Sequence, residues 1–173
     1  VIMLNSLITS KTRLRLLIKF FVSQTNKAHL NGLATEFGES TNSIRKELNN
    51  LFDAGYILKS KLSNKIEYTV NSNHPLYETM HKVVMKHLGL EDIVDTVLQK
   101  IGNVEKIILI GDYAKGIDTG NIEVVLTGRD LDLDYISNLE KKIEKLINRK
   151  VTFYLSSKFL SEQQNIILYT NEI

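Results

Sequence analysis

The sequence contains no cysteine. That excludes disulfides and thiolate metal sites and suits a reducing compartment. It also has no long apolar run. Its longest, such as KIILIG (106–111) and NIEVVL (121–126), last only a few residues, against the roughly 20 a helix needs to cross a bilayer. The apolar start VIMLNSLITSK (1–11) lacks a basic leader and a small-residue cleavage site, so it is not read as a signal peptide. Proline occurs once, at Pro75, where it fits the first turn of a helix. What is present is ordinary for a globular chain. Over 173 residues, 43% are hydrophobic and 24% charged, enough for one domain or two small ones. No membrane association is expected, and the compartment expected is the cytoplasm.

The net charge of +2 conceals a division. Residues 1–90 hold 12 Lys/Arg against 6 Asp/Glu, a balance of +6, and residues 91–173 hold 10 against 14, a balance of −4. A basic half beside an acidic one implies that only the first meets a polyanion.

In the basic half, Ser10 is placed to cap a helix with apolar positions Leu14, Leu17, Ile18 and Phe21. A polar connection, SQTNKA (23–28), follows. Leu30, Leu33, Ala34 and Phe37 then recur at helical spacing, and Gly38 ends that short helix. STNSIRKELNNLFDAG (40–55) predicts a third helix, from a Ser/Thr cap to Gly55, burying Ile44, Leu48, Leu51 and Phe52. Two strands are predicted next, YILKSKL (56–62) and IEYTV (66–70), joined at Ser63-Asn64-Lys65. Leu58, Ser60 and Leu62 alternate with Lys59 and Lys61, which implies one buried and one wet face. HPLYETMHKVVMKHLG (74–89) adds a helix with the apolar stripe Leu76, Met80, Val83, Val84 and Leu88. His74, His81 and His87 lack metal-ligand spacing and are read as solvated or capping.

Three helices followed by a basic hairpin resemble the winged helix-turn-helix of bacterial regulators of the ArsR/MarR-like type, over roughly residues 10–88. The most specific segment is LATEFGESTNSIRKELNNLFDAGYI (33–57). The resemblance implies that the third helix is a recognition helix. It puts Ser40, Thr41, Asn42 and Ser43 at its groove-facing start and Arg45, Lys46 and Asn49 on its free face. Arg suits guanine edges, Asn adenine edges, and Ser/Thr phosphates or bases. Lys59, Lys61 and Lys65 would set the hairpin, or wing, on the backbone or in the minor groove. The helix after the wing often forms a dimer interface in such regulators; packing onto the winged-helix core or onto the second domain is the alternative.

In the acidic half, GLEDIVDTVLQKIGN (89–103) predicts an amphipathic helix through Ile93, Val94, Val97, Leu98 and Ile101. A strand KIILI (106–110), a loop GDYAKGIDTG (111–120) and a strand NIEVVLTG (121–128) follow. A helix with the stripe Ile136, Leu139, Ile143 and Ile147 leads to a strand VTFYLSS (151–157). The closing segment SEQQNIILYTNEI (161–173) reads equally as helix or strand.

This order resembles the minimal nucleotidyltransferase fold over about residues 90–160. In that superfamily a strand ends in Gly-Ser, and a second strand carries Asp-x-Asp or Asp-x-Glu. Here the first strand ends in Gly111-Asp112 and the second carries Asn121-Ile122-Glu123. The resemblance implies two divalent metals held by three carboxylates. Of those three, Glu123 is present, Asn121 replaces one, and residues 145–161 offer no Asp or Glu for the third. Asp112 stands where a phosphate-binding Ser is expected. A carboxylate ~4 Å from a phosphate costs ~4 kcal/mol at an effective dielectric of ~20. Gly111, Asp112, Lys115, Asn121 and Glu123 therefore outline a degenerate nucleotide pocket, without catalytic or metal-ligating residues.

The expectation is an α+β chain of two domains. Residues 1–89 form a winged-helix DNA-binding domain with the helix that follows it. Residues 90–173 form a degenerate nucleotidyltransferase-like α/β domain, serving as a scaffold for dimerisation or as a sensor of a small-molecule or nucleotide effector. The function expected is transcriptional regulation on double-stranded DNA by a homodimeric pseudoenzyme without cofactor. One alternative is an active nucleotidyltransferase with Asp118 as substitute carboxylate, using the winged helix on nucleic acid or a partner. Another is a protein-interaction module resembling an antitoxin.

Overall fold

The structure, a computed structural model, describes residues 4–157 and 162–171. The parts of the readings above that fall on residues 1–3, 158–161 and 172–173 lie outside the described residues. Among those described, the fold is mixed α+β, with seven α-helices and two sheets. The chain divides into two units between Val84 and Met85.

In the first unit, α1 (Lys11–Phe21) starts at Ser10, whose hydroxyl accepts the Arg13 amide at 3.1 Å. Leu17, Ile18 and Phe21 are buried, but so are Leu16 and Phe20, while Leu14 is half-buried. The helix is therefore covered over more of its circumference than a single stripe. The connection 23–28 ends in a short strand, β1 (Lys27–Ala28), that pairs antiparallel with Thr69 and Tyr68. Two residues carry too little alternation to be read as a strand. Helix α2 (Leu30–Phe37) buries Leu33 and stops at Gly38, whose φ of +63° is a conformation glycine adopts without steric cost.

Helix α3 (Thr41–Asp53) is capped by Ser40, which accepts the Ser43 amide. Ile44, Leu48 and Leu51 are buried as expected, but Phe52 is 38% exposed. Its ring instead receives the Lys59 ammonium, 3.9 Å from the centroid. Glu47 takes a buried place on the helix, because Ser10 Oγ and Arg13 Nε donate to its carboxylate at 3.0 and 2.8 Å.

The hairpin strands β2 (Ile57–Leu62) and β3 (Lys65–Val70) pair from Ile57↔Val70 to Leu62↔Lys65, and the sheet order is β1-β3-β2. The expected inward face of β2 is overturned. Leu58 and Leu62 are 48% and 62% exposed, and Ile57 is the buried residue of the strand. The register aligns Ile57 with Tyr68 and Val70 on the core side, and a residue of opposite parity must then face outward. Helix α4 (Tyr77–Leu88) departs from its expected stripe as well. Tyr77, Val84, His87 and Leu88 are buried, Met80 and Val83 are half-buried, and Leu76 is 47% exposed. Tyr77 stacks on Phe21 with centroids 5.9 Å apart, which turns the helix by its aromatic residue rather than by Leu76.

The second unit contains α5 (Leu90–Lys100), β4 (Val104–Ile110), a single turn α6 (Gly111–Ala114), β5 (Asn121–Gly128), α7 (Leu133–Ile147), β6 (Lys150–Ser156) and β7 (Ile166–Thr170). Helix α5 buries Leu90, Ile93 and Val97, whereas Val94 is half-buried and Leu98 is 37% exposed. The sheet order is β6-β5-β4-β7. Strand β5 runs antiparallel to β4 and parallel to β6 across the α7 crossover. The closing segment is a strand, β7, antiparallel to β4. Ile107, Ile108 and Leu109 are all buried, as in a central strand covered on both faces. Asp132 caps α7 by accepting the Asp134 and Tyr135 amides, and Ile136, Leu139, Ile143 and Ile147 are all buried.

Candidate functional site

Two sets of residues were singled out by sequence, and each lies within one unit. In the first unit, Thr41, Asn42, Arg45, Lys46 and Asn49 are exposed on the face of α3 opposite Ile44, Leu48 and Leu51. Their spacing of three and four residues keeps them on one side of the helix. Ser40 and Ser43 are exposed too, but their hydroxyls are engaged with each other at 3.1 Å in the cap. Lys59, Lys61 and Lys65 lie exposed on the hairpin. Lys59 is the one joined to α3: besides Phe52, its ammonium lies 3.5 Å from Asn49 Oδ1, the outer limit of a hydrogen bond.

The charge pairing around this surface is uneven. Arg13, Arg15, Lys19 and Lys27 each lie against a glutamate, at 2.8 Å from Glu47, 2.8 Å from Glu39, 2.9 Å from Glu36 and 3.2 Å from Glu67. Burial works against the Glu47 carboxylate, but Arg13 and Ser10 outweigh it and hold its pKa below the ordinary value. Among the described residues, Arg45, Lys46, Lys59, Lys61 and Lys65 form no ion pair. On α1 and β1 every cation but Lys11, at the first position of α1, is thus paired within the unit, while α3 and the hairpin present theirs outward.

The histidines have structural partners. His74 Nδ1 accepts the Leu76 amide at 3.1 Å and Nε2 reaches the Ala54 carbonyl at 3.2 Å, which fits the neutral tautomer protonated at Nε2. His81 Nδ1 lies 2.6 Å from the Phe21 carbonyl. Among the described residues, no group of three or more His, Asp or Glu side chains could hold a metal ion.

In the second unit, Gly111 has a φ of +69°, and a Cβ there would collide with the Glu123 carboxylate. Glycine lets the end of β4 close onto β5 at the register Ile110↔Glu123. Glu123 Oε1 accepts from the Tyr154 hydroxyl at 3.1 Å, and Asn121 Oδ1 accepts from Thr152 at 3.3 Å. Asp112 is half-exposed and Lys115 is exposed. Parallel pairing with β6 therefore places Thr152 and Tyr154 beside Asn121 and Glu123, on the strand from which the resemblance implied a third carboxylate.

The sequence reading missed a network at the loop that follows α6. The Tyr113 hydroxyl donates to Asp118 Oδ1 and accepts the Gly120 amide at 2.9 Å. Arg149 grips Asp118 with Nε at 3.1 Å and Nη2 at 2.8 Å, while Nη1 donates to the His87 carbonyl at 3.1 Å. Burial opposes ionisation of Asp118, yet Arg149 and Tyr113 outweigh it and hold its pKa below the ordinary value. Burial, with the Asp118 carboxylate second, raises the Tyr113 pKa. Both oxygens of Asp118, the residue considered as a substitute metal carboxylate, are therefore committed inside the unit. Asp118 and Arg149 are 31 positions apart, and no local spacing links them.

No protein-family model and no curated protein matches the chain. Among solved structures, it is similar to a chain of a toxin–antitoxin MntA-HpeT mutant, with 20% identity and a TM-score of 0.43, over 47% of this chain and 73% of that one. It is also similar to reduced HlyU from Vibrio cholerae, with 18% identity and a TM-score of 0.38, over 48% of this chain and 82% of that one.

Proposed function

We propose that the chain is a DNA-binding transcriptional regulator of the winged-helix type, acting as a cytoplasmic homodimer. In this reading α3 lies in the major groove and the hairpin is the wing. The second unit is nucleotidyltransferase-like and without transferase chemistry, and serves as scaffold or as sensor of a small molecule or nucleotide. The observation that carries the reading is the segregation of charge in the first unit: on α1 and β1 every cation but Lys11 is paired with a glutamate, and among the described residues those on α3 and the hairpin are not. Arg45 and Lys46 thereby keep their charge for phosphates and guanine edges, which is what duplex recognition requires. Asn121 beside Glu123 and the commitment of Asp118 to Arg149 support the absence of transfer.

The test is enrichment of genomic fragments by the purified full chain, followed by sedimentation with and without the recovered duplex. The expected result is a defined set of fragments bound by a symmetric dimer, with half-sites about one helical turn apart. Failure to retain any duplex ends the DNA reading, and a monomer in both states ends the dimer. Incubation with labelled nucleoside triphosphates and Mg²⁺ or Mn²⁺ tests the second unit. Label transfer abolished by Glu123→Gln would replace the pseudoenzyme reading with an active transferase.

A further inference from the structure

We infer that the tip of the β2–β3 hairpin is an apolar wedge that enters the minor groove and kinks the duplex, with Leu62 as the wedge. The inference rests on the DNA reading above and concerns the wing's aliphatic side chains, which that reading does not use. Leu62 is 62% exposed and Ile66 is 49% exposed. In the register, Leu62 lies opposite Lys65 and Ile66 lies opposite Lys61. Each of the two rungs nearest the turn thus joins one exposed aliphatic to one lysine, and successive rungs present opposite faces of the hairpin. Neither lysine forms an ion pair among the described residues. The nearest acid on the strands, Glu67, is one rung farther back, drawn to Lys27 at 3.2 Å. The tip itself is narrow, with only Ser63 and Asn64 between the strands and Ser63 at a φ of +54°.

These features match one kind of occupant. A minor groove is about 6 Å wide and lined by phosphates on both sides, so a tip with a free cation on each face is attracted from both walls. Aliphatic side chains have nothing to bond to on a phosphate. At the groove floor they can press between base pairs, as apolar wedges do when they unstack a step and bend the duplex. Leu62 sits on the rung next to the turn and reaches farthest, and Ile66 follows against the groove wall.

The experiment uses a duplex of about 40 base pairs, recovered from a random-sequence pool by selection with the full chain and carrying a fluorophore at each end. Wild type is expected to shorten the end-to-end distance. Leu62→Ala, at an exposed position that folding does not need, is expected to lose most of that change and to bind about tenfold more weakly, with the slope of log K against log salt unchanged. Leu62→Met should keep the bend. Lys61→Ala with Lys65→Ala should instead lower the slope, by about 1.8 if each lysine neutralises one phosphate. Tight binding by wild type without bending would overturn the wedge and leave the DNA reading standing, and so would a Leu62→Ala complex bent like wild type. Absence of binding to any duplex would overturn both.

Discussion

The Asp118–Arg149 network of the second unit and the face formed by α3 and the hairpin in the first treat charge in opposite ways. In the second unit, Asp118 is held by Arg149 and Tyr113, and Arg149 Nη1 donates to a backbone carbonyl. In the first, α1 and β1 do the same with Arg13, Arg15, Lys19 and Lys27, but α3 and the hairpin do not. A charge satisfied within its own fold contributes to stability and is poorly available to a ligand. A charge left unpaired on a rigid helix contributes little to stability and is available. The contrast is useful because it separates residues of the same type: Arg13 and Arg45 are both arginines of the basic half, and they are expected to fail in different assays.

The largest effect follows from that pair. Arg45→Ala with Lys46→Ala should reduce duplex affinity about a hundredfold, from about 1–3 kcal/mol per specific contact, while stability stays within about 0.5 kcal/mol. Arg13→Ala should do the reverse. It leaves the Glu47 carboxylate, 9% exposed, without its cation, and should cost about 1–3 kcal/mol of stability with little change in duplex affinity. Salt-dependent anisotropy and urea denaturation read the two quantities. Arg13→Ala and the double variant losing affinity alike would break the distinction between paired and unpaired cations.

The second effect belongs to the Asp118–Arg149 pair. Asp118→Asn should destabilise the second unit by about 2 kcal/mol, below the about 3–5 kcal/mol of a fully buried pair because this one is partly wet. The folded pKa of Asp118 lies below its ordinary value of 3.8. Its contribution is therefore present above that value and is lost as the pH falls through the lower, folded pKa. Thermal unfolding of wild type and variant should differ near neutrality, begin to approach below the ordinary value of 3.8 and converge only once the pH has fallen through the lower, folded pKa. A difference independent of pH would mean that shape, not charge, holds the loop.

A smaller effect tests the closure of β4 onto β5. Gly111→Ala should cost about 1–2 kcal/mol, from the left-handed backbone and from displacing the Glu123 carboxylate. Because Glu123 is half-exposed and bonded to Tyr154, it has room to swing aside. Glu123→Ala should therefore recover part of the loss. A double variant no better than Gly111→Ala would locate the whole cost in the backbone.

How much of this was legible in sequence depends on how local each cause is. The caps at Ser10 and Ser40, the stop at Gly38 and the stripe Ile136/Leu139/Ile143/Ile147 are set within one or two helical turns, and they appear where the spacing puts them. The inner face of β2 was misread because Leu58 and Leu62 look apolar in isolation. The face is decided by register against Tyr68 and Val70 on the next strand. The candidate recognition face of α3 was legible as the complement of a buried stripe. The pairing that distinguishes its cations from those of α1 was not, since Arg13–Glu47 and Arg15–Glu39 join residues 34 and 24 positions apart. The Tyr113–Asp118–Arg149 network was hidden for the same reason. The strand-loop-strand that carries Gly111 and Glu123 was legible because its residues are contiguous.

The smallest effect decides on which side of the comparison Lys59 stands. It has no carboxylate partner among the described residues, like Arg45, yet its ammonium lies 3.9 Å from the Phe52 centroid and 3.5 Å from Asn49 Oδ1. At an exposed site such a cation–π contact is worth about 0.5–1 kcal/mol. Phe52→Leu keeps an aliphatic side chain on α3 and removes the π face; Lys59→Met keeps the stem and removes the charge. In a double-mutant cycle on stability, the two should couple by about 0.5 kcal/mol, and the coupling should shrink as salt screens it. A coupling of that size assigns Lys59 to the internally committed charges, tethering the hairpin to the third helix, and Lys59→Met should then change duplex affinity less than Lys61→Ala. A coupling of zero assigns it to the outward set. The salt slope of Lys59→Met should then fall by about 0.9, as for any lysine that neutralises one phosphate.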